Sequence, residues 1–261
     1  MRALGVLASV DVVAAEDTRN TSHLLTHHKI SANKLMAVHQ HNERGSAEKI
    51  IALLQAGKSV AFVSDAGTPA VSDPGALLVQ AVLAAELRVI PVPGVSAVVA
   101  ALSASGLAEA QFLFYGFLPN KSAARRTTLQ NLISHPYTLV FYEAPHRIVE
   151  CIVDLCAVLA GERQIVLARE MTKMFETIHA CKLEDAESWL LADSNQQRGE
   201  FVVLVSGAPP QKGLSVEAVK TLSLLLAELP LKQAVQLATK ISGANRNELY
   251  QCALALKNQD S

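Results

Sequence analysis

Four stretches of this chain carry residue types that could do chemistry. The densest is Ser64-Asp65-Ala66-Gly67-Thr68-Pro69, followed by Ser72-Asp73-Pro74-Gly75. A β-branched run at 59–64 precedes it and an apolar helical pattern follows, so it lies where a parallel strand ends. Ligands of open α/β sheets bind outside those carboxyl ends. Glycine permits positive φ and close backbone approach, and proline stiffens the loop. Residues 65–69 therefore read as a ligand-binding loop. Asp73 with Pro74 reads as an N-cap followed by proline at the first helical position. A second loop, Pro91-Val92-Pro93-Gly94-Val95-Ser96-Ala97, ends another β-rich run, and Ser96 can cap a helix or donate to a ligand.

The third stretch, Glu16-Asp17-Thr18-Arg19, closes the run at 10–15 and faces the same sheet edge, either as a solvated loop or as site residues. The fourth is Phe141-Tyr142-Glu143-Ala144-Pro145-His146-Arg147. Glu143 and His146 have acid/base chemistry, and Arg147 could clamp an anion. Further charged strand ends are Arg169-Glu170 with Lys173, and Arg198-Gly199-Glu200. Lys121, Arg125 and Arg126 form a compact cationic cluster, a phosphate contact or a solvated helix face. No GxGxxG, GxxxxGK[ST] or GxSxG pattern occurs, which removes support for a phosphate loop or a nucleophile elbow. His23, His27 and His28, like His39 and His41, lack the company of a metal motif, so no metal is expected.

Elements must position these loops. Runs at 10–15, 35–39, 59–64 and 87–92 read as strands, alternating with helical patterns at 1–8, 43–55, 73–86 and 96–104. That alternation predicts a parallel sheet covered on both faces. From 111 the rhythm changes. Strands at 112–117, 138–142, 165–169, 177–181 and 201–205, with helices at 120–131, 146–159 and 183–192, predict a mixed sheet. A boundary is placed near Gly106–Gln111, giving an N-terminal parallel α/β domain over 1–107 and a mixed-sheet α/β domain over 108–208. The segment 208–213 reads as a linker. Helical patterns at 216–228, 231–241 and 246–256 form a small helical appendage over 214–261.

The chain has 261 residues, half of them hydrophobic, with a formal net charge of −1. Such a composition argues against disorder and against a wholesale polycation. Four cysteines do not make a disulfide scaffold, and a reducing, cytoplasmic setting is expected. The apolar stretch 76–104 is interrupted by Glu86, Arg88, two prolines and Gly94, so it is not read as a membrane span.

The motifs SDAGTPAVSDPG, VPGVSA, YGFLP, FYEAPHR, ARE-TK-ET (169–177) and RGEFVVLV, in this order, make the sequence resemble the tetrapyrrole methylase superfamily, in its branch that acts on ribosomal RNA. The resemblance implies two α/β domains with S-adenosylmethionine in the cleft between them. It also implies methyl transfer to the 2′-hydroxyl of a cytidine ribose in 16S rRNA of the 30S subunit, by a metal-free homodimer. By motif matching, Asp65, Ala66, Gly67, Thr68, Pro69, Ser72, Ser96, Ala97, Tyr142, Glu143, Gly199 and Glu200 would hold the cofactor. Arg19, Lys121, Arg125, Arg126, His146 and Arg147 would meet the RNA. The ribose hydroxyl needs a base, for which Glu16, Asp17, Glu143 and Glu170 are the candidates. The superfamily's chains begin with a strand and a TP-x-GN loop that this sequence lacks. A shortened N-terminus is thus expected, with a sheet short of one strand and cofactor affinity in question. Two other readings remain open: a corrin- or porphyrin-precursor methylase on the same fold, and a non-catalytic RNA-binding protein.

Overall fold

The computed structural model describes residues 1–209, 213–214 and 216–259. It divides into two compact units, one of residues 1–133 with 137–206, the other of 134–136 with 207–261.

The first unit opens with helix α1 (Arg2–Ser9), strand β1 (Val12–Ala15), α2 (Thr18–His27), β2 (Leu35–Ala37), α3 (Glu43–Gln55), β3 (Val60–Val63), α4 (Ala76–Ala84) and α5 (Ala97–Ser105). The strands form a parallel sheet in the order β2-β1-β3. Their side chains alternate between two cores, as the period of two demands. Ala14, Val60 and Phe62 pack with Ile50 of α3 and with Leu78 and Val82 of α4. Val13, Ala61 and Val63 pack on the opposite face with Leu7 of α1 and Leu25 of α2. Both faces are thus covered, and all four β1 residues are buried.

One expectation fails here, and one element was not expected. Residues 87–92 form no strand: the run is apolar, but no neighbour pairs with it, and Val89 and Ile90 stay exposed. Hydrophobicity predicts burial, whereas a ladder also needs a partner backbone. Conversely, α2 stands where the sequence reading assigns no helix, only the charged segment 16–19. Its sequence TRNTSHLLTH is polar on most faces, and the Asp17 side chain starts it by accepting from the Arg19 N–H at 2.8 Å.

The second sheet comprises β4 (Phe112–Phe117), β5 (Thr138–Glu143), β6 (Gln164–Arg169), β7 (Thr177–Lys182) and β8 (Phe201–Val205), in the order β4-β5-β8-β6-β7. Only β4 and β5 pair in parallel; the other neighbours are antiparallel, as the changed rhythm predicts. Leu139, Phe141, Ile165, Leu167, Phe201, Val203 and Val205 face α6 (Ser122–Leu132), α7 (Ile148–Val158) and α8 (Leu183–Ala192). The alternate residues Val140, Val166, Ala168, Val202 and Leu204 pack against Val98 and Ala101 of α5. Helix α5 precedes the boundary placed near Gly106–Gln111, yet it covers the second sheet.

Helices α6 and α7 are joined through a buried ion pair. Arg125 Nε donates to Asp154 Oδ2 at 2.6 Å, with both side chains at most 3% exposed. Arg126 Nε and Ser122 Oγ donate to Asp154 Oδ1 at 2.6 and 2.9 Å. Burial opposes ionisation of Asp154, but these donors together hold its carboxyl below the usual range.

The second unit holds α9 (Val216–Glu228), α10 (Leu231–Ser242) and α11 (Arg246–Gln259) around Ala218, Leu222, Val235, Ala238, Leu249 and Ala253. Gly243 ends α10 in the left-handed region at φ 67°, and Asn245 Oδ1 accepts from the Asn247 N–H at 2.8 Å to begin α11. Of the expected linker 208–213, residues 210–212 lie outside the described residues, as does Ser215. No described helix is long and apolar enough to cross a membrane.

Replacing Asp154 with alanine would leave Arg125 charged and buried, with its nearest remaining carboxylate, the exposed Glu150, 3.8 Å away. The expected loss is about 3 kcal/mol of unfolding free energy, measured by urea denaturation.

Candidate active site

The loops after β1, β2 and β3 meet at the carboxyl rim of the parallel sheet. Carboxylates tie them together by accepting backbone N–H groups. The Glu16 N–H itself extends the sheet by donating to the Val63 carbonyl at 3.0 Å. Glu16 Oε2 accepts from the Asp65 N–H at 3.2 Å, and Asp65 Oδ1 accepts from the Asp17 N–H at 3.2 Å. Asn20 Nδ2 donates to Asp65 Oδ2 at 2.9 Å. The two segments that sequence motifs single out, 15–20 and 64–69, are thereby one hydrogen-bonded object.

The next loop is anchored by a residue that sequence reasoning missed. Glu43, buried in the first turn of α3, uses one oxygen to accept from the Gly75 and Leu78 N–H groups at 3.0 and 2.9 Å. Those N–H groups belong to the N-terminus of α4, which favours a negative charge. Asp73 is therefore not the N-cap that the Asp-Pro pair predicted. The cap position falls on Gly75 at φ 128°, where a Cβ would lie 2.5 Å from a Phe62 ring carbon, and the capping carboxylate comes from another helix. A sequence-local rule cannot find a cap 32 residues away.

Between these anchors the loop follows an unusual path. Gly67, Ala70, Ser72 and Gly75 all have positive φ, which costs energy at Ala70 and Ser72. Asp65, Ala66, Gly67 and Thr68 remain exposed. Thr68 Oγ1 donates to the Val95 carbonyl at 3.2 Å, joining this loop to the one that precedes α5. Ser96 occupies the N-cap position of α5 with Ala97 as its first residue, but the Ser96 hydroxyl makes no cap hydrogen bond.

The second sheet meets the rim through β4 and β5. The β4 ladder shifts register between Phe114 and Gly116, and Gly116 has φ 86°. A Cβ there would lie 2.9 Å from Ser72 Oγ, so a glycine lets the loop rest on the strand. The Tyr142 ring packs edge-on against Phe114 at 4.9 Å. Its hydroxyl accepts from the Val98 N–H in the first turn of α5, while burial, then the nearby Asp73 charge, raise its pKa.

A cavity of about 450 Å³ opens at this rim, lined by Glu16, His39, Gln40, His41, Glu43, Ser72, Asp73 and Pro74. Asp73 is partly buried there, and burial together with the Glu16 and Asp65 charges raises its carboxyl from the ordinary 3.8 to about 6. Asp17 moves the other way. Bonds from the Arg19 side chain and backbone hold it at about 2.

The remaining residues singled out from sequence lie in other settings. Glu143 is buried, accepts from the Ala144 N–H at 2.9 Å and pairs with Arg147 at 3.2 Å. Arg147 also donates to Asn120 Oδ1 and to the Leu118 carbonyl, so it is a brace for the turn before α7. Arg125 was read as a phosphate contact, but its side chain is 1% exposed and faces Asp154. Sequence shows a cationic run, not the face of α6 on which each charge sits. Lys121, Arg126 and His146 are exposed, and Arg19 is 85% exposed beside Asp17. Gly199 and Glu200 belong to a separate cluster. Glu170 Oε1 accepts from the Glu200 N–H at 2.9 Å and from Lys173 Nζ at 2.8 Å, and the Lys173 bond is the main cause of a lowered Glu170 pKa.

The fold and site define a class: residues 1–187 match the model of the Tetrapyrrole (Corrin/Porphyrin) Methylases, and the chain belongs to that family. Residues 212–257 match a second model, described as an RsmI C-terminal HTH domain. The chain is 52% identical over 256 residues to "Ribosomal RNA small subunit methyltransferase I" of Pseudomonas aeruginosa, covering 97% of this chain and 90% of that protein. It is 48% identical to the protein of the same name in Escherichia coli, over 97% and 88% of the two chains. Among solved structures, a cobalt precorrin-4 methyltransferase shares the fold, with a TM-score of 0.56 at 17% identity over 79% of this chain and 87% of that one.

The Glu43 carboxylate gives a direct test of the rim. Glu43→Ala strands two buried N–H groups and is expected to cost about 2 kcal/mol in urea unfolding, while Glu43→Gln, which keeps an acceptor oxygen, should lose less than half of that.

Proposed function

We propose that this protein is an S-adenosylmethionine-dependent methyltransferase acting on RNA of the small ribosomal subunit, at the 2′-hydroxyl of a cytidine ribose. The similarity to proteins bearing that ribosomal name, at 52% identity over nearly the whole chain, is the observation that carries the reading. The rim geometry supports it. Gly67 leaves open space where a Cβ would stand, and Asp65, Ala66 and Thr68 stand open beside it. In this reading Asp65–Pro69, Ser72, Ser96, Ala97 and Tyr142 hold the cofactor. It supplies a methyl group already activated by a sulfonium, so the protein's task is alignment and removal of a proton. The hydrogen-bonded carboxylates fix the loops before anything binds, and the Thr68–Val95 bond holds two of them at a set spacing. Glu143, Gly199 and Glu200 support the neighbouring sheet end.

Exposed Arg19, Lys121, Arg126 and His146 present positive or polar groups to RNA phosphates, with the helical unit as a ribosome contact. The protein works as a homodimer in the cytoplasm. Incubating the purified chain with 30S subunits and methyl-labelled donor should label the RNA of the subunit. Label on uroporphyrinogen, with none on RNA, would replace this reading with tetrapyrrole methylation. Gly67→Val places a branched residue at φ 67° and should weaken cofactor binding roughly ten-fold by calorimetry, since left-handed backbone costs ordinary residues ~1–2 kcal/mol. Unchanged affinity would remove the loop from the site.

A further inference from the structure

A proton acceptor needs a lone pair that is not already engaged and a place for the donor to sit. The carboxylates at the rim differ sharply in the first respect. Asp17 accepts from the Arg19 backbone and guanidinium. Asp65 accepts from the Asp17 N–H and Asn20, and Glu43 from two backbone N–H groups. Glu143 is held by Ala144 and Arg147. Glu16 accepts from the Asp65 N–H. Among the described residues, none donates a hydrogen bond to Asp73, although it lines the 450 Å³ cavity. On another part of that wall, His39 Nδ1 is buried with no partner, a polar atom left for something that enters.

We propose that Asp73 is the catalytic base, taking the proton of the attacking ribose hydroxyl in this cavity; the assignment rests on the function proposed above. The hydroxyl proton passes to the Asp73 carboxylate as the oxygen bonds to the methyl carbon. The carbon–sulfur pair stays with the departing thioether. The groups facing Asp73 are Glu16 after β1 and Asp65 after β3, which repel its charge, the Tyr142 hydroxyl from β5, and His39, His41 and Glu43 across the cavity. With its proton affinity raised to about 6, Asp73 is a stronger base than an ordinary carboxylate and is still ionised at neutral pH. Glu16, Asp17, Glu143 and Glu170, the candidates from sequence, then act by positioning.

Single-turnover methylation of 30S subunits by the wild-type chain should rise with pH through about 6 and then level. Asp73→Asn should lower the plateau at least ~100-fold and remove the inflection. A second readout needs no turnover. Carboxyl carbon NMR of the unliganded protein should show one aspartate titrating near 6, absent in Asp73→Asn, while calorimetric cofactor affinity stays within about three-fold. Wild-type rate and inflection in Asp73→Asn, or no aspartate midpoint above about 5, overturns the assignment. A wild-type chain that binds cofactor but labels no RNA overturns the proposed function, and this assignment with it.

Discussion

Loops that approach a ligand expose backbone N–H groups which no helix or sheet satisfies, and at this rim carboxylates satisfy them. Glu16 takes the N–H of Asp65, Asp65 takes that of Asp17, and Glu43 takes two from the start of α4. A hydrogen bond to a charged group is worth ~1.5–3 kcal/mol, roughly twice a neutral one. The strained φ angles at Ala70 and Ser72 persist because both ends of their loop are held this way. The shape of the rim is thus a property of the folded chain itself.

Gathering negative charge for structural reasons has an electrostatic result. Asp17, bonded by the Arg19 side chain and backbone, is held in its ionised form. Asp73, desolvated by burial, also receives the repulsion of Glu16 and Asp65 without a compensating donor. One interlocked set of acids therefore yields two behaviours, a set that orients and a member that holds its proton more tightly. The second sheet touches this set through Gly116, which lies against Ser72, and through Tyr142, whose hydroxyl lies near Asp73.

Most of this architecture was legible in the residues. Eight of the nine β-rich runs form strands, the central ones with side chains alternating between two apolar cores and the edge strand β7 with one face open to solvent, and the changed rhythm after 111 marked the mixed sheet. The run at 87–92 shows the limit: apolar composition reports burial and says nothing about a partner strand. Helix α2 escaped because its cap and polar sequence resemble a loop. The loops of the site were visible as Gly, Pro and acidic residues at strand ends. Their wiring was not, because Glu43 lies 32 residues from the helix it caps. Asp73 was hidden by a local rule that explains an Asp-Pro pair without reference to the cavity behind it. Arg125 was misread because spacing along a chain does not say which charge of a run turns inward.

The shifted register of β4 has a consequence for how such chains can vary in length. Tyr115 is the additional residue between Phe114, opposite Val140, and Gly116, opposite Phe141. Deleting Gly116 would restore an even ladder, yet it would set Tyr115 opposite Phe141 and bring a side chain to the place where Ser72 Oγ now rests. Insertions and deletions are thereby steered out of this strand and into the turns, and an apparent irregularity becomes one of the least editable points of the chain.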